Sequence, residues 1–470
     1  MSQTSPVLRI PFISEHRSSD ALALLESQGS MTYRQLAAAV ETRTRQFTQS
    51  LNVERPIILL VMDNNIGSVV DYLTALALDY VTLVVNPDAS DEVRQAYIDA
   101  FNPHAVISQG QVSLRHTSVI DTDPRVSLLL STSGSTGAGK CVALSGRNLV
   151  ANCQSILEYL PILPSDNTLA TLPLSYSYGL SVLNTHLQAG ATVCFTRNSV
   201  FDKAFWTEVK TLPVHSLSGV PSFYDMLARL RFTHMDLPEL RYFTQAGGRL
   251  KPALVEAFAH YAAEHNKQFF VMYGQTEATA RMAYLAPHKA AAKPAAIGQA
   301  IAGGEFKIVA SNQSTPGQGE LFYRGDNVML GYVSTVSELA GFTPPEWLAT
   351  GDIASCDADG DYTLIGRLKR MIKLAGERVC LDVMEQLFTA VLCDYRLMLP
   401  ACVIGRDDHI ICLYSGDIAP DLHQSVLEAI AKRMQIPRRN ITLRSDVTLP
   451  YTTNGKLDYA GLTAQLEEQN

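Results

Sequence analysis

The ten residues Ser131-Thr-Ser-Gly-Ser-Thr-Gly-Ala-Gly-Lys140 carry three glycines, five hydroxyl side chains and one lysine, a composition suited to holding an anion. Glycines let backbone N–H groups approach a phosphate closely, hydroxyls donate further hydrogen bonds, and the lysine adds positive charge. Thr132, Ser133, Gly134, Ser135, Thr136, Gly137 and Lys140 are therefore the candidate phosphate ligands. Two unrelated chemistries write such a run. Gly134, Gly139 and Lys140 meet the Walker A spacing, but Cys141 stands where that loop supplies a hydroxyl to Mg²⁺. A thiol is a poor ligand for a hard cation. The run also lies between apolar Val126–Leu130 and alternating Cys141–Ser145, which predicts a loop joining two strands rather than a strand feeding a helix.

Further segments follow in order. They are Met31-Thr-Tyr-Arg-Gln-Leu36, the stretch Asp71–Pro87, Tyr273-Gly-Gln-Thr-Glu277, Thr350-Gly-Asp352, Gly366-Arg-Leu-Lys369, Lys373-Leu-Ala-Gly-Glu-Arg-Val379 and the tail Leu449-Pro450 … Asn454-Gly-Lys456. With the phosphate run they resemble the motifs of the adenylate-forming (AMP-binding) enzymes over residues 25–460. That superfamily includes acyl-CoA synthetases, acyl and aryl acid ligases, luciferases and peptide-synthetase adenylation domains. Departures are Gly139 for a common proline, Gly146 for a common histidine, and Asp79-Tyr80 for an Ala-Gly turn.

The resemblance implies an AMP-forming acid–thiol ligase, in which a carboxylic acid and ATP give acyl-AMP and pyrophosphate. The acyl group then passes to the thiol of CoA or of a carrier-protein phosphopantetheine. Such a reaction brings two anions together, so the site must supply cations and donors where charge builds up. Lys456 would bridge the attacking carboxylate and the α-phosphate, with Thr276 and Glu277 as catalytic companions and Glu277 as the Mg²⁺ ligand. Adenine and ribose would meet Gly247, Gly248, Tyr273, Gly274, Asp352 and Arg367. Lys369 would be a hinge that withdraws Lys456 after pyrophosphate leaves and presents Gly376 along a thiol tunnel.

The acyl pocket falls by the same resemblance on Tyr176, Ser177, Val220 and Ser222, with Phe223 and Tyr224 suited to an apolar wall. Leu172–Gly179 offers no aspartate to pair an amino-acid ammonium, and an unpaired buried ammonium is costly, so a fatty or aryl acid is favoured. Lys432, Arg433, Arg438 and Arg439 form a basic cluster fit for the phosphates of CoA or an acidic carrier protein, or for an ordinary solvated helix end. A Walker-type NTPase and a catalytically silent nucleotide-binding homologue remain as alternatives.

These residues need a scaffold, and the chain predicts one. Short apolar strands such as Ile57–Met62, Thr82–Asn86, Thr192–Thr196 and Phe269–Met272 alternate with helical patterns at Ile66–Leu78, Asn148–Tyr159 and Pro252–Asn266. That alternation predicts an α/β fold with parallel-rich sheets flanked by helices. From Gly317 onward, Glu320–Arg324, Tyr332–Val333 and Tyr362–Leu364 read as a small β subdomain, and Lys289–Ala296 as a surface loop. The expected division is an N-terminal domain over residues 1–367 and a mobile α+β C-terminal domain over 368–470. The net charge of −8 speaks against a nonspecific nucleic-acid binder, which needs a basic surface. The eight scattered cysteines fit buried thiols in a reducing cytoplasm, and no apolar run is long enough to span a bilayer.

Overall fold

Runs of β-branched and leucine residues, buried on both faces, make the strands that organise this chain. The structure is a computed structural model that describes residues 9–131, 139–310, 316–374, 377–406, 408–445, 448–451 and 457–468. The chain divides into two compact units, residues 1–305 with 323–348, and residues 306–322 with 349–470.

In the first unit, Ile57–Val61, Val81–Val85 and Val126–Leu130 are buried at every position, as strands covered on both sides must be. They pair in parallel within a seven-stranded sheet. A second sheet runs through Gln268–Tyr273, Tyr242–Gln245, Val214–Gly219, Asn167–Ala170, Thr192–Phe195 and Leu22–Glu26, again in parallel. Aromatic side chains fill the core behind it. Phe232, Phe243, Phe258 and Tyr261 meet there with ring centroids 5.3–6.2 Å apart.

The T-Y-x-x-L segment proves to be structural. Thr32 caps the helix Tyr33–Leu51 in a reciprocal capping box with Gln35, worth about 1 kcal/mol. Buried Tyr33 donates its hydroxyl to the Ala191 carbonyl at 2.7 Å. After the helix Ile66–Ala77 the chain turns at Asp79 with φ +53°, the left-handed conformation that a glycine adopts more easily.

Two expectations are corrected. Gly331–Val333 is not part of a separate β subdomain. It pairs antiparallel with Cys141–Ser145 at the edge of the seven-stranded sheet. Lys289–Ala296 is more than a surface loop, because Ala290 is fully buried in the aromatic core and Ala296 opens a strand.

Strands with most of their residues in the second unit, Gly304–Val309, Gln318–Gly325, Leu348–Cys356 and Tyr362–Arg367, lie side by side. A hairpin follows, Met371–Leu374 with Glu377–Cys380. The helices Leu381–Asp394 and Pro420–Met434 pack through Phe388, Val391, Val426 and Ile430 against a sheet of Ala401–Arg406, His409–Tyr414 and Ile441–Arg444. Among the described residues no helix is long and apolar enough to cross a membrane, and the cysteines form no disulfide, with Cys356 and Cys393 at the surface.

Candidate functional site

Val126–Ser131 and Cys141–Ser145 are antiparallel neighbours, so the phosphate run joins a hairpin. A Walker loop enters a helix directly, and this connection does not; the Walker reading is set aside. Helix Gly146–Leu157 starts only after the second strand, capped reciprocally by Ser145 and Asn148. Thr132, Ser133, Gly134, Ser135, Thr136 and Gly137 lie outside the described residues, as do Gly376 and Lys456. Lys140 is exposed, with its Nζ 5.7 Å from the centroid of the Tyr332 ring.

The residues expected to line an acyl pocket and the Tyr273–Glu277 segment converge in the first unit. Tyr176 is the N-cap of helix Ser177–Gln188, and its hydroxyl lies against Gly247. A Cβ on Gly247 would stand 2.6 Å from Tyr176 Oη and 3.1 Å from Val220 Cγ1, and the backbone there has φ +83°. Space and conformation thus both require glycine. Gly248 faces Pro221 in the same way, at 3.1 Å. Ser177 Oγ is 3.3 Å from Thr276 Oγ1, which ties the acyl wall to the candidate catalytic turn.

That turn, Thr276–Ala278, follows strand Gln268–Tyr273 directly. Gly274 permits it, because a Cβ there would fall 1.8 Å from the Ala280 carbonyl oxygen. Tyr273 is buried and accepts from Gln275 Nε2 at 3.3 Å. Glu277 Oε1 accepts from the Tyr332 hydroxyl at 2.8 Å, and the Glu277 carbonyl accepts from Met329 N–H at 2.8 Å. Burial together with the Glu277 charge pushes the Tyr332 phenol upward, so it stays a donor. Strand Gly331–Val333 therefore brings Tyr332 between Lys140 and Glu277, a junction that sequence reading missed. Ser222 sits half-buried in the first turn of helix Pro221–Arg229. Phe223 and Tyr224, expected in the acyl wall, are buried in the aromatic core cluster; the Tyr224 hydroxyl donates to the Thr244 carbonyl at 2.8 Å.

In the second unit Asp352 and Arg367 are opposite each other on antiparallel strands, with Nε 2.7 Å from Oδ1. The Asp352 carboxylate is buried and Arg367 more than half exposed. Lys369 is exposed in the turn Leu368–Arg370. Arg370 turns inward, pairs with Asp382, and donates to Glu385 Oε2 and to the Val403 carbonyl, both at 3.1 Å. Its guanidinium lies 3.8 Å from the centroid of the Tyr459 ring, whose hydroxyl donates to Glu385 Oε1 at 2.7 Å. Asp382 Oδ2 also accepts from the Arg367 N–H at 2.7 Å. An antiparallel bridge joins Tyr451 and Leu457 on either side of residues 452–456.

The AMP-binding enzyme family model matches residues 120–333 of this chain, the span from the strands framing residues 132–138 to the Tyr332 strand. Among its relatives, 2-succinylbenzoate–CoA ligase of Staphylococcus epidermidis is 26% identical over 93% of this chain and 93% of its own. Oxalate–CoA ligase of Arabidopsis thaliana is 30% identical over 56% of this chain, and the chain spans only 52% of that relative's length. Among solved structures, o-succinylbenzoate CoA synthetase (MenE) from Bacillus subtilis with its acyl-adenylate superposes with TM-score 0.78 at 21% identity, over 97% of this chain and 98% of that one. MatB from Rhodopseudomonas palustris with ATP superposes at 0.77 and 19% identity, over 96% of both chains. At these identities the structural likeness is one of fold.

Proposed function

We propose that this chain is an AMP-forming acid–CoA ligase, which joins ATP and a carboxylic acid into acyl-AMP, releases pyrophosphate, and then acylates a thiol. The observation that carries the reading is the junction in the first unit. Tyr176, Val220 and Gly247 close one wall, Ser177 meets Thr276, and Glu277, Tyr332 and Lys140 stand together beside the phosphate hairpin.

The chemistry follows from the residues. Glu277 with the Thr276 hydroxyl is an all-oxygen donor pair that fits Mg²⁺, which would neutralise phosphate charge. Lys140 and the hydroxyls of residues 131–136 would hold the pyrophosphate that leaves. Asp352 would accept from the ribose hydroxyls, as a buried acid does in nucleotide sites, with Arg367 fixing its carboxylate. Gly247, Gly248, Tyr273 and Gly274 would line the adenine, and Tyr176, Ser177, Val220 and Ser222 the acyl group. Lys456 would supply the cation between carboxylate and α-phosphate. Rotation about Lys369 would separate an N-terminal body, residues 1–367, from a mobile part, 368–470, and bring Gly376 to the thiol path.

CoA is the favoured acceptor because the full-length relative above is named for it; a carrier-protein phosphopantetheine presents the same thiol. A reducing cytoplasm would suit the cysteines. Pyrophosphate exchange with a panel of carboxylic acids tests the reading, with the acyl-AMP identified by mass spectrometry. Acid-dependent exchange is expected, falling about 10²–10³-fold in Lys456→Ala, the loss typical of one transition-state donor. ATP hydrolysis to ADP without acid would sink it, and nucleotide binding without exchange would mark a silent homologue.

A further inference from the structure

Arg281 ends the segment that begins at Tyr273, and it is only 3% exposed. Its backbone is fixed from two sides. The Arg281 carbonyl accepts from Asn152 Nδ2 at 2.9 Å and from Asn327 Nδ2 at 2.8 Å. Its guanidinium lies 3.9 Å from the centroid of the Tyr178 ring, with Nε 3.3 Å from Met272 Sδ. One further nitrogen reaches the Ala280 carbonyl at 3.4 Å, the long end of a hydrogen bond. Burial raises the phenols of Tyr159, Tyr176 and Tyr178, and the Arg281 charge opposes that rise at all three. The cation therefore acts directly on Tyr176, the residue that borders Gly247 and Val220.

Among the described residues no carboxylate pairs with Arg281. The undescribed residues of the first unit, 1–8 and 132–138, contain no acid. A desolvated cation–π contact returns less than taking an ion out of water costs, even after relaxation. The thioether, the aromatic rings and the Tyr159 hydroxyl that hydrogen-bonds with Arg281 supply no counter-charge. What Arg281 lacks among the described residues is an anion, and guanidinium is shaped to take a carboxylate through two parallel hydrogen bonds.

We propose that Arg281 is a specificity-determining residue that receives a second anionic group of the acid substrate, a carboxylate foremost, remote from the carboxyl that is activated. The proposal rests on the acid-activating reading of the site. It narrows the expected fatty or aryl acid to one with a charged far end.

Matched pairs of acids test it: aliphatic diacids from malonate to suberate and an aromatic diacid, each beside its monomethyl ester. Exchange kinetics and calorimetric titration are run on the full chain. The wild type should favour a diacid over its ester in kcat/KM on the order of 10²-fold or more, as buried polar sites do when a partner is missing. Arg281→Gln should erase that preference through KM while changing the ester by less than a few-fold. Equal use of ester and diacid by the wild type, or an equal loss for both in Arg281→Gln, overturns the proposal. Should no acid support exchange, the acid-activating reading fails. Titration then decides separately: diacid heat lost in Arg281→Gln supports the anion site, and unchanged heat overturns it. If Arg281→Gln does not fold, Arg281→Lys keeps the charge without the fork. Its diacid preference should drop about tenfold with the ester unchanged, and an unaltered preference overturns the proposal.

Discussion

His186, in the last turn of helix Ser177–Gln188, is buried among polar partners, and the Asp166 charge opposes the effect of that burial only in part. Nδ1–H donates to the Val182 carbonyl at 2.8 Å, which leaves Nε2 to accept from the Tyr242 hydroxyl at 3.1 Å. Burial holds its pKa down at about 4, against 6.5 for an exposed imidazole. A group whose folded pKa is depressed in this sense binds its proton more readily in the unfolded chain. Its stabilisation is complete above pH 6.5 and is lost as pH falls toward 4. Urea unfolding should show about 2 kcal/mol less stability at pH 5 than at pH 7.5 from this residue. His186→Gln should flatten that slope, and an unchanged slope would assign it elsewhere. Single residues were unevenly legible in the sequence. Tyr176 and Ser177 stood out because their neighbours repeat a known pattern. Arg281 did not, because a lone arginine in Ala280-Arg-Met-Ala283 carries no periodicity and its meaning depends on Tyr178 and Met272, which lie far from it or face it only across the fold.

At the scale of elements, Arg370, Asp382, Glu385 and Tyr459 join three pieces of the second unit: the turn at the expected hinge, helix Leu381–Asp394, and the start of the last helix, Tyr459–Glu468. Tyr459 follows Lys456 by three positions, and the Tyr451–Leu457 bridge closes the same segment. Tyr459→Phe removes the hydroxyl from Glu385 and leaves a buried carboxylate short of one donor, a loss of about 1–3 kcal/mol. The expected result is slower acid-dependent exchange with ATP affinity retained, measured by exchange kinetics beside a nucleotide titration. If ATP affinity falls in step with exchange, the residue supports the fold rather than the lysine. Strands such as Val81–Val85 were readable from their apolar runs alone. Gly331–Val333 was not: three residues show no alternation, and their partner strand lies far back in the chain.

For the whole molecule, two half-reactions with different needs should come apart. Lys369→Pro restricts the backbone at the expected hinge, since proline fixes φ and also limits the residue before it. Exchange should persist within a few-fold while acyl-CoA formation drops at least tenfold, followed by product analysis after adding CoA to preformed acyl-AMP. Equal loss of both would place the hinge elsewhere. The change of pattern after Gly317, read as a small β subdomain, was visible in the sequence. The return of residues 323–348 to the first unit was not, because it depends on contacts between distant segments. That return has a consequence for synthesis. The strand Cys141–Ser145 that frames the phosphate hairpin gains its outer neighbour only once Val333 has been made. At about 5–20 residues per second the delay is roughly ten to forty seconds. Through that interval the nascent chain displays an unpaired β-edge on strand Cys141–Ser145. A chaperone holding that edge, or a ribosome pausing before Val333, would decide how much of the newly made protein ever becomes competent to bind ATP.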